Sequence, residues 1–253
     1  MNSTNKITLL KYSPISLKEM KDIRLMNRTD TKYVMSSKKL SKLLALAYKD
    51  YFVQEIDGER IMLYATNYLD TSNKDMYIMH QNGRYVREKI RIRSYVSSNL
   101  SFLEVKNKNN KGCTSKKRIP MSSSTLLVDD DGDSFLKENA WYSLDQLSFH
   151  LENNFNRITL VNKAKTERIT IDSDISFHNV KNNNQISLEN VAIVELKRKG
   201  RTYSPISSIL QDLNVKPSGF SKYCIGTVLT DDSIKQNRFK CRIKRILEIN
   251  RNN

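Results

Sequence analysis

Proline and glycine are scarce, four and seven among 253 residues, which excludes collagen-like and linker-rich chains. No uninterrupted apolar run approaches the ~18 residues that a membrane-crossing helix needs. The start, MNSTNKITLLKYSPIS, lacks the apolar centre of a secretory leader. Cysteine is limited to Cys113, Cys224 and Cys241, odd in number and without metal-ligand spacing. A disulfide framework is therefore not expected, and a reducing, cytoplasmic setting is. Acidic residues are the other shortage: 27 Asp and Glu stand against 43 Lys and Arg, a net charge of +16. Such an excess implies a polyanionic partner, whether nucleic acid, an anionic membrane or phosphate chains.

The length fits one large domain or two small ones, and a hydrophobic fraction of 38% supports a core. Ser16 and Glu19 form a capping-box pattern that predicts a short helix over 18–25. Ser36 or Ser37 predicts the cap of a second helix, with Leu40, Leu43, Leu44 and Ala47 at helical spacing. Leu144, Leu147 and Leu151 predict a third over 139–153, and Ile234, Phe239, Ile243 and Ile246 a closing helix over 232–250. Between these the period becomes two. Strands are predicted over 29–34, 61–70, 85–95, 101–108, 116–120, 156–161, 168–172 and 191–199, with turns at Asp57-Gly58, Asn82-Gly83 and 107–112. Eight strands joined mostly as hairpins predict an α+β fold: an antiparallel eight-stranded β tunnel or barrel, closed or nearly so, with flanking helices.

The polarity of these strands is unusual. Arg87, Lys89, Arg91 and Arg93 share one strand face, as do Glu104, Lys106 and Lys108. So do Lys116 and Arg118; Arg168, Thr170 and Asp172; Glu195, Lys197 and Lys199; and Arg28, Asp30 and Lys32. Any one set is compatible with a solvated outer face, but six sets so strongly cationic are not the mixed signs of ordinary surface. Turned inward, they make a cationic tunnel. Two like charges 4 Å apart repel by roughly 4 kcal/mol at an effective dielectric near 20, and a bound triphosphate relieves that repulsion while accepting charge-assisted hydrogen bonds. A tunnel of about eight strands admits a linear anion and excludes a duplex.

In this order the segments resemble the VTC domain of polyphosphate polymerases, a branch of the triphosphate tunnel metalloenzymes (the CYTH-like superfamily). LMNRTDTKYVM (25–35) is similar to the family's R-x-D-x-K-[YF] strand, and YATNYLDT (64–71) to Y-x-T-x-Y-F-D-T with Leu69 in place of phenylalanine. HQNGRYVREKIRIRSY (80–95) resembles H-x-x-G…R-x-K-x-R-x-R-x-Y. FLEVK (102–106), KKRI (116–119), ERITID (167–172), VELK (194–197) and FSKY (220–223) follow. Each motif is weak alone; eight in order are specific. The resemblance covers about residues 16–226, within a single tunnel domain over 1–253 that has an N-terminal extension (1–15) and a C-terminal helix (231–253).

The resemblance implies transfer of the ATP γ-phosphoryl group to a growing polyphosphate chain. It places Lys32, Arg91, Arg93, Lys106, Arg168 and Lys197 at the reacting phosphates. Arg28, Lys89, Lys116, Arg118 and Lys222 would also bind phosphate, with a hydroxyl from Ser221. Glu195 would hold Mn²⁺ or Mg²⁺, or else pair with Lys106 or Lys197. CYTH-type triphosphatases open with E-x-E-x-K, where this chain has Arg28-x-Asp30-x-Lys32, which favours polymerase over hydrolase. Two positions depart from relatives: Gly219 stands where some carry lysine, and Phe155 where tyrosine is common. The alternatives are a triphosphatase in the same tunnel and a non-catalytic polyphosphate-binding module. No nucleic-acid motif is present, aromatic residues do not interleave with the cations as a stacking platform would, and a membrane partner is left open. Asp129–Asp133 lacks the distal glutamate of a calcium loop and reads as a solvated turn.

Overall fold

In the computed structural model, which describes residues 3–21, 23, 28–122, 130–200 and 203–251, the period-two segments assemble into one sheet. The chain begins with α1 (Ser3–Leu9), β1 (Ser13–Ile15) and α2 (Leu17–Lys21), then β2 (Arg28–Ser36), α3 (Ser37–Ala47), β3 (Tyr51–Gln54) and β4 (Met62–Asp70). It continues through α4 (Asp75–Gln81), β5 (Arg87–Tyr95), β6 (Leu100–Lys108), β7 (Thr114–Met121), α5 (Asp130–Asn139), β8 (Ser148–Asn162) and β9 (Glu167–Asn179). It closes with β10 (Gln185–Leu188), β11 (Val191–Lys199), α6 (Pro205–Asp212), α7 (Lys222–Thr230) and α8 (Lys240–Arg251). The eight predicted strands form the main path, in the order β2-β11-β9-β8-β4-β5-β6-β7. Every ladder along that path is antiparallel. Among the described residues β2 and β7 do not pair, so the tunnel is curled but not closed by hydrogen bonds. The short β1, β3 and β10 were not anticipated, and β1 pairs β3 in parallel.

Local signals place the first helices well. Glu19 accepts from the Ser16 amide (2.9 Å) while Ser16 Oγ accepts from the Glu19 amide (3.3 Å), the reciprocal capping box that starts α2; the end of the predicted 18–25 helix lies outside the described residues. Ser36 caps α3, whose Leu40, Leu43, Leu44 and Ala47 pack with Ile169, Ile171, Val194 and Leu196 on the outward faces of β9 and β11. Leu9 and Tyr12, from the segment expected as an N-terminal extension, are buried in that same core.

The predicted helix over 139–153 is corrected. Ser143 and Gln146 do form a capping box, but it closes only one 3₁₀ turn over 144–146, and β8 begins at Ser148. The leucines that suggested one helical stripe serve two cores: Leu147 packs with Leu103 and Leu136, Leu151 with Phe155 and Phe177. Flanked by β4 and β9 on both sides, this segment gains a full set of ladder hydrogen bonds, and tertiary pairing overrides the local spacing. The closing helix is shorter than expected, α8 alone. Helix α7 was not anticipated. Its Gly226 lets it approach the sheet: a Cβ there would stand 2.4 Å from the Phe177 ring and 2.6 Å from Leu151.

Candidate functional site: a cationic cavity

All eight strands of the main path, with the segment opening α7, line one cavity of about 430 Å³. Strict alternation explains the lining. On β5 Arg87, Lys89, Arg91 and Arg93 point inward, while Glu88, Ile90 and Ile92 are buried on the opposite face. Lys106 and Lys108 of β6, Thr114 and Lys116 of β7, Asp30 and Lys32 of β2, and Glu195 and Lys197 of β11 complete the strand contribution, with Arg157 of β8 and Asp172 of β9. Eleven Lys and Arg side chains thus face three carboxylates (Asp30, Asp172 and Glu195) across the lining.

Carboxylates tie the cations together across strands. Glu195 pairs with Lys32 and, at 2.6 Å, with Lys197, so the ion-pair role foreseen for it is realised, with Lys32 as the added partner. Lys197 also stands 3.4 Å from Asp30. Asp172 accepts both Arg157 Nε (2.6 Å) and an Arg157 Nη (2.8 Å), and pairs with Lys222. Glu104, fully buried on the inner face of β6 beneath the lining cations, holds Arg91 at 2.6 Å and Lys116. Burial opposes the ionisation of all three, yet their cations hold them well below the usual carboxylate range, Glu104 at about 2.

Five of the lining cations, Arg87, Lys89, Arg93, Lys106 and Lys108, lack such a partner among the described residues. Lys89 donates to Ser221 Oγ at 2.9 Å, and burial lowers its pKa. Arg93 keeps a buried Nε with no hydrogen-bond acceptor, and burial, then Arg91 and Arg157, push it down to about 10. The Lys106 amine is pushed down to about 6, first by Arg91, then by burial and by Arg93 and Lys116. An orphaned buried donor and mutually repelling cations are features that a polyanion could satisfy.

Two sequence candidates stand elsewhere. Arg168 does not line the cavity: it sits at the far end of the β9 ladder and donates to the Met20 carbonyl at 3.0 Å. Arg118 is exposed in the middle of the edge strand β7, its guanidinium 4.5 Å from the Phe102 ring centre. The side chains of Arg28 and Lys199 lie outside the described residues. The alternation argument missed Arg157, the only cation in its predicted strand and so without a repeating signal. It also missed Tyr68 and Tyr223, which line the cavity and stack on each other at 5.1 Å. Phe155 underlies Lys222 and Arg157, with the cations 4.1 and 5.2 Å from its ring centre; that contact needs a ring face and no hydroxyl. Gly219 faces the guanidinium of Arg242.

No group of three or more His, Cys, Asp and Glu side chains arranged to hold a metal occurs among the described residues, and no described helix is long and apolar enough to cross a membrane. The model of the VTC domain family matches residues 27–230. No curated protein matches the chain. Similar solved structures include a candidate adenylate cyclase from Vibrio parahaemolyticus, 11% identical over 79% of this chain and 97% of that one, with a TM-score of 0.47. A candidate adenylyl cyclase from Hippeastrum with a dominant triphosphatase activity is 14% identical over 81% and 97%, with a TM-score of 0.46. A Pyrococcus horikoshii protein is 13% identical over 79% and 98%, with a TM-score of 0.45.

Proposed function

The chain belongs to the VTC domain family, and on that footing we propose that it is an ATP-dependent polyphosphate polymerase. A terminal phosphate oxygen of the chain attacks the γ-phosphorus of ATP; the bond to the bridging β–γ oxygen breaks, ADP leaves with the electron pair, and the polymer grows by one phosphate. The acceptor is already an anion, so the step needs positioning and charge neutralisation more than a general base. Arg91, Arg93, Lys106, Lys32 and Lys197 would supply that neutralisation, while Lys89, Lys116, Lys222 and Ser221 would hold flanking phosphates.

The observation that carries this reading is the state of the carboxylates. Asp30, Asp172 and Glu195 are each ion-paired and stand against eleven lining Lys and Arg, a balance that favours neutralising phosphate over activating water. The same set bears on the metal. A hard divalent ion such as Mg²⁺ or Mn²⁺ takes one or two carboxylates and fills its remaining positions with phosphate oxygen and water. Glu195 fits as that carboxylate, released when phosphate takes over Lys32 and Lys197. Bound there, the ion would neutralise charge on the transferring phosphates.

The test is incubation of the purified chain with ATP and Mn²⁺, reading long polyphosphate on a gel and ADP in solution. Polymer with matching ADP is expected. Orthophosphate without polymer would replace the proposal by a triphosphatase, and tight triphosphate binding with neither product by a binding module.

A further inference from the structure

Beyond the cavity, the fold brings two arginines from the C-terminal region to one of its ends. Arg238 lies over Gly83, whose φ of +76° and missing side chain leave room for it: a Cβ there would stand 2.4 Å from a guanidinium nitrogen. Arg242, on α8, lies against Gly219, with its guanidinium 3.5–3.7 Å from where a Cβ would be. Gly83 leads into β5 four residues before Arg87, and Gly219 immediately precedes Phe220 and Ser221 of the lining. At this end Arg87 pairs with Lys108 in the last rung of the β5–β6 ladder.

Both arginines are exposed, and among the described residues neither makes an ion pair. Their field reaches inward. The His80 imidazole is pushed down to about 2 by burial and then by Lys89, Arg87, Arg238 and Arg242. The opposite wall differs, because Lys32 and Lys197 are compensated there by Glu195 and Asp30.

We propose that Arg238 and Arg242 form an outer anion-binding subsite that continues the cavity at its Arg87–Lys89 end and holds linear polyphosphate lying beyond the reacting phosphates. The subsite rests on polyphosphate being the ligand of the cavity. A triphosphate is satisfied by the inner cations, whereas a long chain must leave the cavity, and two planar guanidinium groups at its mouth match the non-bridging oxygens of successive phosphates. Because these contacts are solvated, they add modest affinity that salt screens.

Calorimetric titration of the full chain with tripolyphosphate, long-chain polyphosphate and single-stranded RNA, at several salt concentrations, tests the subsite against an Arg238→Gln/Arg242→Gln variant. Long-chain affinity is expected to fall about five- to tenfold, with a shallower salt dependence, while tripolyphosphate affinity and melting temperature stay unchanged. Unchanged long-chain affinity, or equal weakening for tripolyphosphate, overturns the subsite; equal weakening for RNA overturns its assignment to polyphosphate. The polymer gel on the same proteins separates the two ideas. Loss of long-chain binding in the variant of a chain that makes no polymer removes the polymerase and keeps the subsite. Polymer synthesis with unaltered long-chain binding does the reverse.

Discussion

Glu104, Asp172 and Glu195 each hold two cations from different elements, whereas Lys89, Arg93 and Lys106 face the same cavity with no carboxylate at pairing distance among the described residues. The two groups answer to different demands. Ion pairs to buried Glu104 and Asp172 and to half-buried Glu195 fasten β5 to β6 and β7, β9 to β8 and α7, and β11 to β2, and at the buried two removing one partner leaves a desolvated charge behind. The uncompensated cations make no ion pair; they repel each other, a repulsion that bound phosphate would relieve. One cavity therefore contains both the ties that hold the curled sheet in shape without ligand and the capacity that binds ligand.

The sharpest way to break this comparison is to remove one arginine of each kind. Arg93→Ala and Arg91→Ala are both expected to lower polymer synthesis by at least about 10²-fold, the scale of losing one well-placed transition-state donor. Only Arg91→Ala should also lower stability, by about 1–3 kcal/mol, because Glu104 then keeps Lys116 alone. Arg93→Ala should melt at or above the parent temperature. Equal destabilisation by the two variants in denaturant titrations would erase the distinction.

Lys106 sharpens it at the level of protons. Its folded pKa of about 6 lies below the unsubstituted value of 10.5, so between those values the unfolded chain binds the extra proton. Its contribution to stability therefore rises with pH across that window, and its penalty is complete below about pH 6. Bound phosphate restores the charged form, so triphosphate binding near pH 8 should take up about one proton. Calorimetry in buffers of different ionisation enthalpy measures this, and Lys106→Met should abolish it; persistent uptake in that variant would assign the proton elsewhere.

The smallest effects are expected outside the cavity. Arg118→Ala and Arg168→Ala should change the apparent affinity for triphosphate by less than about threefold, because neither side chain lines the cavity. A larger loss would return them to the site.

Much of this was legible in the chain, and the reason is locality. Alternation on 87–93, 104–108 and 195–199 is a property of consecutive residues, and a pleated strand turns it directly into a charged face and an apolar face. The capping of α2 and α3 is equally local. The leucines at 144, 147 and 151 misled because helical spacing arose by coincidence in a segment whose pairing with β4 and with the far end of β9 is set by the sheet and not by local spacing. Arg157 stayed hidden because one cation in a strand has no period.

The sequence by itself determined the eight strands and the charge of their inner faces, since each follows from composition and from residues two apart. Only the tertiary structure decided which cations are neutralised. Asp172 meets Lys222 across 50 positions and Glu195 meets Lys32 across 163, and the placement of Arg238 and Arg242 depends on where α8 returns to the sheet. An ion pair needs its groups within a few ångströms, and for residues so far apart that distance is fixed by the curl of the sheet rather than by the order of the chain.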